Sequence, residues 1–152
     1  MIHLADILSP ARSRVNVQGG SKKRVLELIA QLFAEDQPSL DSNQLFNSLI
    51  AREKLGSTGF GNGIAIPHCR LSGCDQPLGA ILHLESPVDF DAIDGAPVDL
   101  LFVLLVPDAA TDEHLVLLRQ IASLFDNEPL RERLRQASDN QALYEAVIAG
   151  NA

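Results

Sequence analysis

Val98-Asp99-Leu100-Leu101-Phe102-Val103-Leu104-Leu105-Val106 is the stretch whose character decides the fold. A strand with one face in water alternates apolar and polar residues. A nearly unbroken apolar run implies cover on both faces, and so a strand at the centre of a sheet. The run is far too short to cross a bilayer, which takes about 20 apolar residues in a helix.

Two further strand signals precede it, at residues 78–85 and at Ile64-Ala65-Ile66, the latter ended by Pro67. Residues 7–18 read mostly as loop, with a short strand candidate at Arg14-Val15-Asn16-Val17. Between the second and third strands, Val88-Asp89-Phe90-Asp91-Ala92-Ile93-Asp94-Gly95-Ala96-Pro97 reads as a hairpin-like connection turning at Asp94-Gly95.

Helical signals interleave with these strands. Ser21 is placed to cap a helix to about Ala34, with Val25, Leu26, Ile29 and Leu32 inward. Asp41, with Gln44 three residues on, resembles a capping box for a second helix. Its inner face is Leu45, Phe46, Leu49 and Ile50, and it stops near Leu55 with Gly56 in the left-handed terminal position. Thr111 is the expected cap of a third helix to about Phe125, with Leu117, Leu118 and Ile121 inward. Pro129 suits the first turn of a short fourth helix, and Ser138 with Gln141 a capping box for a fifth over 139–148. The expected class is α/β: a small, mixed β-sheet flanked by helices, in one domain spanning residues 1–152.

At 152 residues, 46% of them hydrophobic, the chain is long enough to bury one sizeable core. Twelve basic against twenty acidic residues give a net charge of -8, which argues against nucleic acid as a partner. The same charge would speed encounter with a protein bearing a basic face. Met1-Ile2-His3-Leu4-Ala5-Asp6 lacks the basic start and apolar core of a signal segment, so a cytoplasmic location without membrane insertion is expected. Cys69 and Cys74 lie too close in sequence to organise the fold by a disulfide.

The chemistry concentrates in Gly56-Ser57-Thr58-Gly59-Phe60-Gly61-Asn62-Gly63-Ile64-Ala65-Ile66-Pro67-His68. Its glycines fit neither nucleotide motif. A P-loop requires a lysine after its last glycine, and a dinucleotide fingerprint lies between strand and helix; here the glycines follow a helix and precede a strand. His68 follows a strand directly, where ligands of open α/β sheets gather. Taken alone it also reads as a solvated loop histidine.

His114 falls in the first turn of the third helix, where free N–H groups favour an anion; its plain alternative is a surface histidine. If its strand neighbours that of His68, the two imidazoles approach. Arg52, in the last turn of the second helix, either complements the helix dipole or offers a planar set of donors to a phosphoryl group. Zinc bound by His68, Cys69, Cys74 and His114 is weighed and set aside, since adjacent residues rarely reach one tetrahedral ion. His83 reads as structural, within a strand.

Arg52-Glu53-Lys54-Leu55-Gly56-Ser57-Thr58-Gly59 followed by Gly61-Asn62-Gly63-Ile64-Ala65-Ile66-Pro67-His68 resembles the enzyme IIA domains of the fructose/mannitol class of the bacterial phosphotransferase system. Asp89-Phe90-Asp91-Ala92-Ile93-Asp94-Gly95, Val98-Asp99-Leu100-Leu101-Phe102, Val106-Pro107 and His114 fit the same pattern. Ser13-Arg14-Val15 and Ser21-Lys22-Lys23-Arg24 are most like the nitrogen-regulatory branch of that class.

The resemblance implies that His68 is phosphorylated at Nε2 by a phosphohistidine on an HPr-like phosphocarrier, and that Arg52 and His114 line its site. It also implies regulatory target proteins, such as sensor kinases or potassium transport components, that respond to nitrogen, potassium or carbon status. No cofactor or metal is expected. Donors are expected from the Ser57 or Thr58 hydroxyls and from amides of Gly59, Phe60, Gly61, Asn62 and Gly63. Phe60, Ile64 and Ile66 offer either an apolar partner surface or core packing. The residue after the site histidine is often Gly in the family, and here it is Cys69, a thiol open to oxidation if exposed. Two alternatives stand: a sugar-specific IIA passing phosphate to a IIB domain, and a phosphate-independent binding module.

Overall fold

The computed structural model describes residues 3–108 and 113–151. Its strands are β1 Ser13–Val17, β2 Gly59–Gly61, β3 Ile64–Ala65, β4 His68–Leu71, β5 Leu78–Val88 and β6 Val98–Pro107. Its helices are α1 Lys22–Asp36, α2 Ser42–Leu55, α3 Glu113–Phe125, α4 Glu128–Gln136 and α5 Asn140–Asn151. None of the described helices is long and apolar enough to cross a membrane.

β6 is central, as its composition requires. It pairs antiparallel with β5 and parallel with both β3 and β4. The sheet order is β1-β5-β6-β3-β2, with β1 parallel to β5 and β2 antiparallel to β3. The sheet is therefore mixed, as expected. Alternate side chains of β6 enter two cores. Leu101, Val103 and Leu105 meet Val25, Ile29 and Phe33 of α1 and Leu45 and Leu49 of α2. Leu100, Phe102, Leu104 and Val106 meet Leu117, Ile121 and Phe125 of α3, Leu130 of α4 and Leu143 of α5. Phe102 and Phe125 pack edge to face with ring centroids 5.9 Å apart.

The caps explain where helices start. Ser21 Oγ accepts the Arg24 N–H at 3.1 Å, as anticipated. Asp41 Oδ1 accepts from the Asn43 and Gln44 N–H groups, but the box is not closed. The Gln44 amide instead donates to Ser72 Oγ, tying α2 to the segment after β4. Asn127 caps α4, with Pro129 in the first turn. α5 is capped by Asp139 rather than Ser138: its Oδ1 accepts the Ala142 N–H at 2.7 Å, and Gln141 turns to Glu145. The expected cap Thr111 lies outside the described residues. Gly56 ends α2 with φ 158 and ψ 148, not in the left-handed helical region but in one that essentially glycine alone adopts.

Two corrections bear on function. The glycine-rich stretch is a β-hairpin rather than an open loop: β2 and β3 pair across Asn62 and Gly63, with φ 60 and 77. Positive φ at both central residues is what a type I′ turn requires, and Asn-Gly is its usual sequence. The strand expected over 64–66 stops at Ala65, and a separate strand, β4, opens at His68. Pro67 has no N–H to continue the ladder. Its carbonyl accepts the Leu104 N–H at 3.0 Å, so the chain stays against β6 through the break. His68 thus starts a strand alongside Leu104, within the sheet, instead of following the end of one.

Candidate active site around His68

His68 is partly buried and reaches a cavity of about 200 Å³ lined by Arg52, His68, Cys69, Arg70, Leu104, Val106, His114 and Leu118. β4 supplies the histidine, β6 an apolar floor, the end of α2 the arginine, and the first turn of α3 the second histidine. The structure thus brings Arg52, His68 and His114 into one cavity, because β4 and β6 are neighbours and α3 follows β6.

Hydrogen bonding fixes the His68 tautomer. Its Nδ1 lies 2.7 Å from the Ile66 carbonyl oxygen, which can only accept, so Nδ1 carries the proton. Arg52 Nε donates to Nε2 at 3.2 Å, and a guanidinium can only donate, so Nε2 holds the lone pair. Arg52 is oriented in turn by donation from its Nη1 to the Gly56 carbonyl at 2.9 Å. The site therefore presents a neutral imidazole with its nucleophilic nitrogen under a cation.

Electrostatics favour the same form. Burial pushes the His68 pKa below its ordinary 6.5, opposed by the bond to Ile66; the charge of Arg52 lowers it further, Glu53 raises it, and His114 lowers it. These influences together favour the neutral ring.

The hairpin residues stand elsewhere than expected. Ser57 Oγ donates to the Phe90 carbonyl at 2.5 Å and accepts the Gly59 N–H at 3.0 Å, so this hydroxyl braces the chain. Thr58 is 7% exposed; its N–H goes to the Glu53 carboxylate, and its buried Oγ1 has no hydrogen-bond partner. Gly59, Phe60, Gly61, Asn62 and Gly63 form the hairpin and do not line the cavity. Gly63 is required by contact as well as by φ: a Cβ there would lie 2.5 Å from Arg135 Nη2 and 2.8 Å from Asp99 Oδ1. Ile64 and Ile66 are buried in the core, while Phe60 is partly buried against it.

Cys69 is buried beside His68, and burial pushes its thiol up to about 12, with the neighbouring Cys74 adding to the shift. A protonated, buried thiol is a poor target for oxidation. Among the described residues no cluster of three His, Cys, Asp or Glu is placed to hold a metal ion. His83 is structural, with Nε2 at 3.3 Å from Asp99 Oδ2.

Sequence reasoning passed over Glu53. A carboxylate in the last turn of a helix opposes the dipole, and that misplacement is the signal that it has another partner. It has two: the Thr58 N–H, and Lys22 Nζ at 3.0 Å.

Comparison with known proteins accords with this geometry. The sequence model of the family described as "Phosphoenolpyruvate-dependent sugar phosphotransferase system, EIIA 2" matches residues 6–149. A nitrogen regulatory protein of Pseudomonas aeruginosa is 67% identical over 148 residues, covering 97% of this chain and 96% of that protein. The crystal structure of nitrogen regulatory protein IIA-Ntr from Neisseria meningitidis superposes with a TM-score of 0.87 at 41% identity, covering 95% of this chain and 98% of that one. Mannitol enzyme IIA of Escherichia coli, solved in complex with phosphorylated enzyme IIB, shares the fold at a TM-score of 0.74 and 15% identity, covering 94% and 99%. With its motifs and its fold both matched along nearly the whole length, this chain belongs to the EIIA 2 family of the phosphoenolpyruvate-dependent sugar phosphotransferase system.

Proposed function

We propose that the chain is a phosphoryl-relay regulator. His68 accepts a phosphoryl group from a phosphohistidine on an HPr-like carrier of the nitrogen branch, and the modified protein signals by binding target proteins. One observation carries this: His68 Nε2 holds its lone pair at the cavity, locked by Ile66 on one side of the ring and facing Arg52 on the other.

The step follows from those groups. The Nε2 lone pair forms the new N–P bond as the carrier's N–P bond breaks, its electron pair returning to the carrier's imidazole nitrogen. His68 keeps its Nδ1 proton, so positive charge develops on the ring and is held by the Ile66 carbonyl. Negative charge spreads over the phosphoryl oxygens, where positioned donors do most of the catalysis. Arg52 and His114, which line the same cavity, would serve there. The described residues expose four large apolar side chains: Leu55, three residues after Arg52 on α2; Leu115 and Val116, next to His114 in sequence; and Ile93, whose N–H meets the Gly59 carbonyl. They suit a protein partner that covers the cavity during transfer.

Incubation with the phosphorylated carrier, followed by intact mass of wild type and His68→Ala, tests the reading. Gain of one phosphoryl group by wild type alone is expected; a phosphoryl group on His68→Ala would sink the assignment. The family's sugar transport members favour a second reading, onward transfer to a IIB domain. Loss of the label when a fructose-type IIB is added would support it. Target binding indifferent to both His68→Ala and His68→Asp would instead indicate a phosphate-independent module.

A further inference from the structure

Glu53 touches no part of the cavity, yet both hydrogen bonds that orient His68 trace back to it. Its side chain is 6% exposed, in the last turn of α2. The carboxylate accepts the Thr58 N–H at 3.2 Å. The Thr58 carbonyl accepts the Ile66 N–H at 3.0 Å. The Ile66 carbonyl in turn accepts the proton of His68 Nδ1. On the other side, the Glu53 backbone carbonyl accepts the Gly56 N–H at 3.2 Å, and the Gly56 carbonyl holds Arg52 against Nε2.

A buried carboxylate at the wrong end of a helix costs stability unless it is paired. Lys22 of α1 supplies the pair at 3.0 Å and is itself fixed by the Phe90 carbonyl at 3.3 Å and the Phe90 ring at 5.1 Å. Ser57 Oγ donates to that same Phe90 carbonyl. α1, α2, the start of the hairpin and the β5–β6 connection thus converge on one carboxylate.

We propose that Glu53, braced by Lys22, is a positioning residue for His68: through Thr58 and Ile66 it fixes the ring's tautomer, and its charge stabilises the cationic ring formed on phosphorylation. The second half of this rests on His68 being the acceptor; the first half does not. The charge argument has support in the unmodified protein, where Glu53 favours the protonated imidazole against Arg52 and His114.

The test is long-range ¹H–¹⁵N NMR of the His68 ring in wild type, Glu53→Ala and Glu53→Gln, alongside phosphoryl transfer from the carrier. Wild type is expected to show one tautomer, with Nδ1 protonated. Glu53→Ala is expected to mix both tautomers and to slow transfer roughly ten- to a hundredfold. Glu53→Gln still offers an oxygen to Thr58, so it keeps the tautomer while His68 titrates at lower pH than in wild type. A folded Glu53→Ala protein with the wild-type tautomer and rate would overturn the proposal. If Glu53→Ala does not fold, Glu53→Gln decides: an unchanged His68 titration refutes it, and a lowered one upholds it. The tautomer is read without any phosphoryl group, so failure of His68 to accept one would sink the functional reading and leave the positioning result standing.

Discussion

Two histidines of this chain face an arginine, and they do so in opposite ways. His83 on β5 meets Asp99, and Asp99 is held by Arg135 of α4 through Nε at 2.9 Å and Nη2 at 2.8 Å. His68 meets Arg52 directly, with no carboxylate between them. In the first arrangement an anion already joins the two nitrogen-bearing groups, and the site is complete. In the second, on the function proposed above, the anion is brought by the partner. A phosphoryl oxygen at His68 would occupy the role that Asp99 holds at His83. A resident carboxylate makes a brace; its omission leaves room for an incoming anion.

The sharpest way to break this comparison is to remove the proposed acceptor. His68→Ala should lose phosphoryl acceptance altogether by intact mass, while His83→Ala retains it. Next in size is Arg52→Ala, which removes the donor at Nε2 and should slow transfer by about 10²–10³-fold in single-turnover assays. Arg52→Lys should recover only part of this, because an ammonium cannot span Nε2 and the Gly56 carbonyl as the guanidinium does.

The brace should respond in stability instead. Arg135→Ala leaves Asp99 with His83 alone and is expected to cost about 1–3 kcal/mol in urea unfolding, with transfer unchanged. If Arg135→Ala slowed transfer as much as Arg52→Ala, the division between brace and acceptor would fail.

The two sites also respond to acid in different pH windows. Burial alone would raise the Asp99 pKa from 3.8, but hydrogen bonds from His83 and Arg135, together with their charges, bring it below that value. A depressed carboxylate stabilises the fold above its unfolded pKa, and this is lost as pH falls through the folded value. The His68 pKa is lowered as well, chiefly by burial. The slope has the same sign for this imidazole but lies in a higher window: between the folded pKa and 6.5 the unfolded chain binds more protons, so stability rises with pH there too. An NMR titration should place the His68 midpoint below 6.5, and a midpoint above it would contradict the neutral nucleophile. The smallest effect concerns Cys69, which should resist thiol alkylation in the native protein and react fully once unfolded.

The fold was legible where one interaction dominates. An apolar run such as 98–106 has one good place in a sheet, and Ser21 and Asp41 act on N–H groups within three residues. Legibility failed where a distant partner competes. Gln44 left its capping box for Ser72, 28 residues on. Ser57 and Thr58 looked like phosphate donors because their type suggests it. Phe90, 33 residues on, claims the hydroxyl of one, and Glu53, five residues back in the last turn of α2, claims the N–H of the other. Arg52, His68 and His114 were readable as candidates from chemistry and chain position, but their meeting depends on β4 lying against β6, and the strand that begins at His68 had no signal beyond Pro67. Asn62-Gly63 did carry one, which was masked by the surrounding glycines.

The break at Ile66 and Pro67 has a consequence in time as well as in space. The amides of Ile66 and Leu104 are tied to the carbonyls of Thr58 and Pro67, one hydrogen bond before the nucleophile and one beside it. Leu104 lies in the fully buried centre of the sheet, where amide protons exchange with solvent only through large openings. Ile66 lies just past the short hairpin, bonded to the residue before it, where smaller openings suffice. The Leu104 amide is therefore expected to exchange more slowly than that of Ile66, one on either flank of His68. Their relative rates would report whether a phosphoryl group on the ring tightens the hairpin or loosens it.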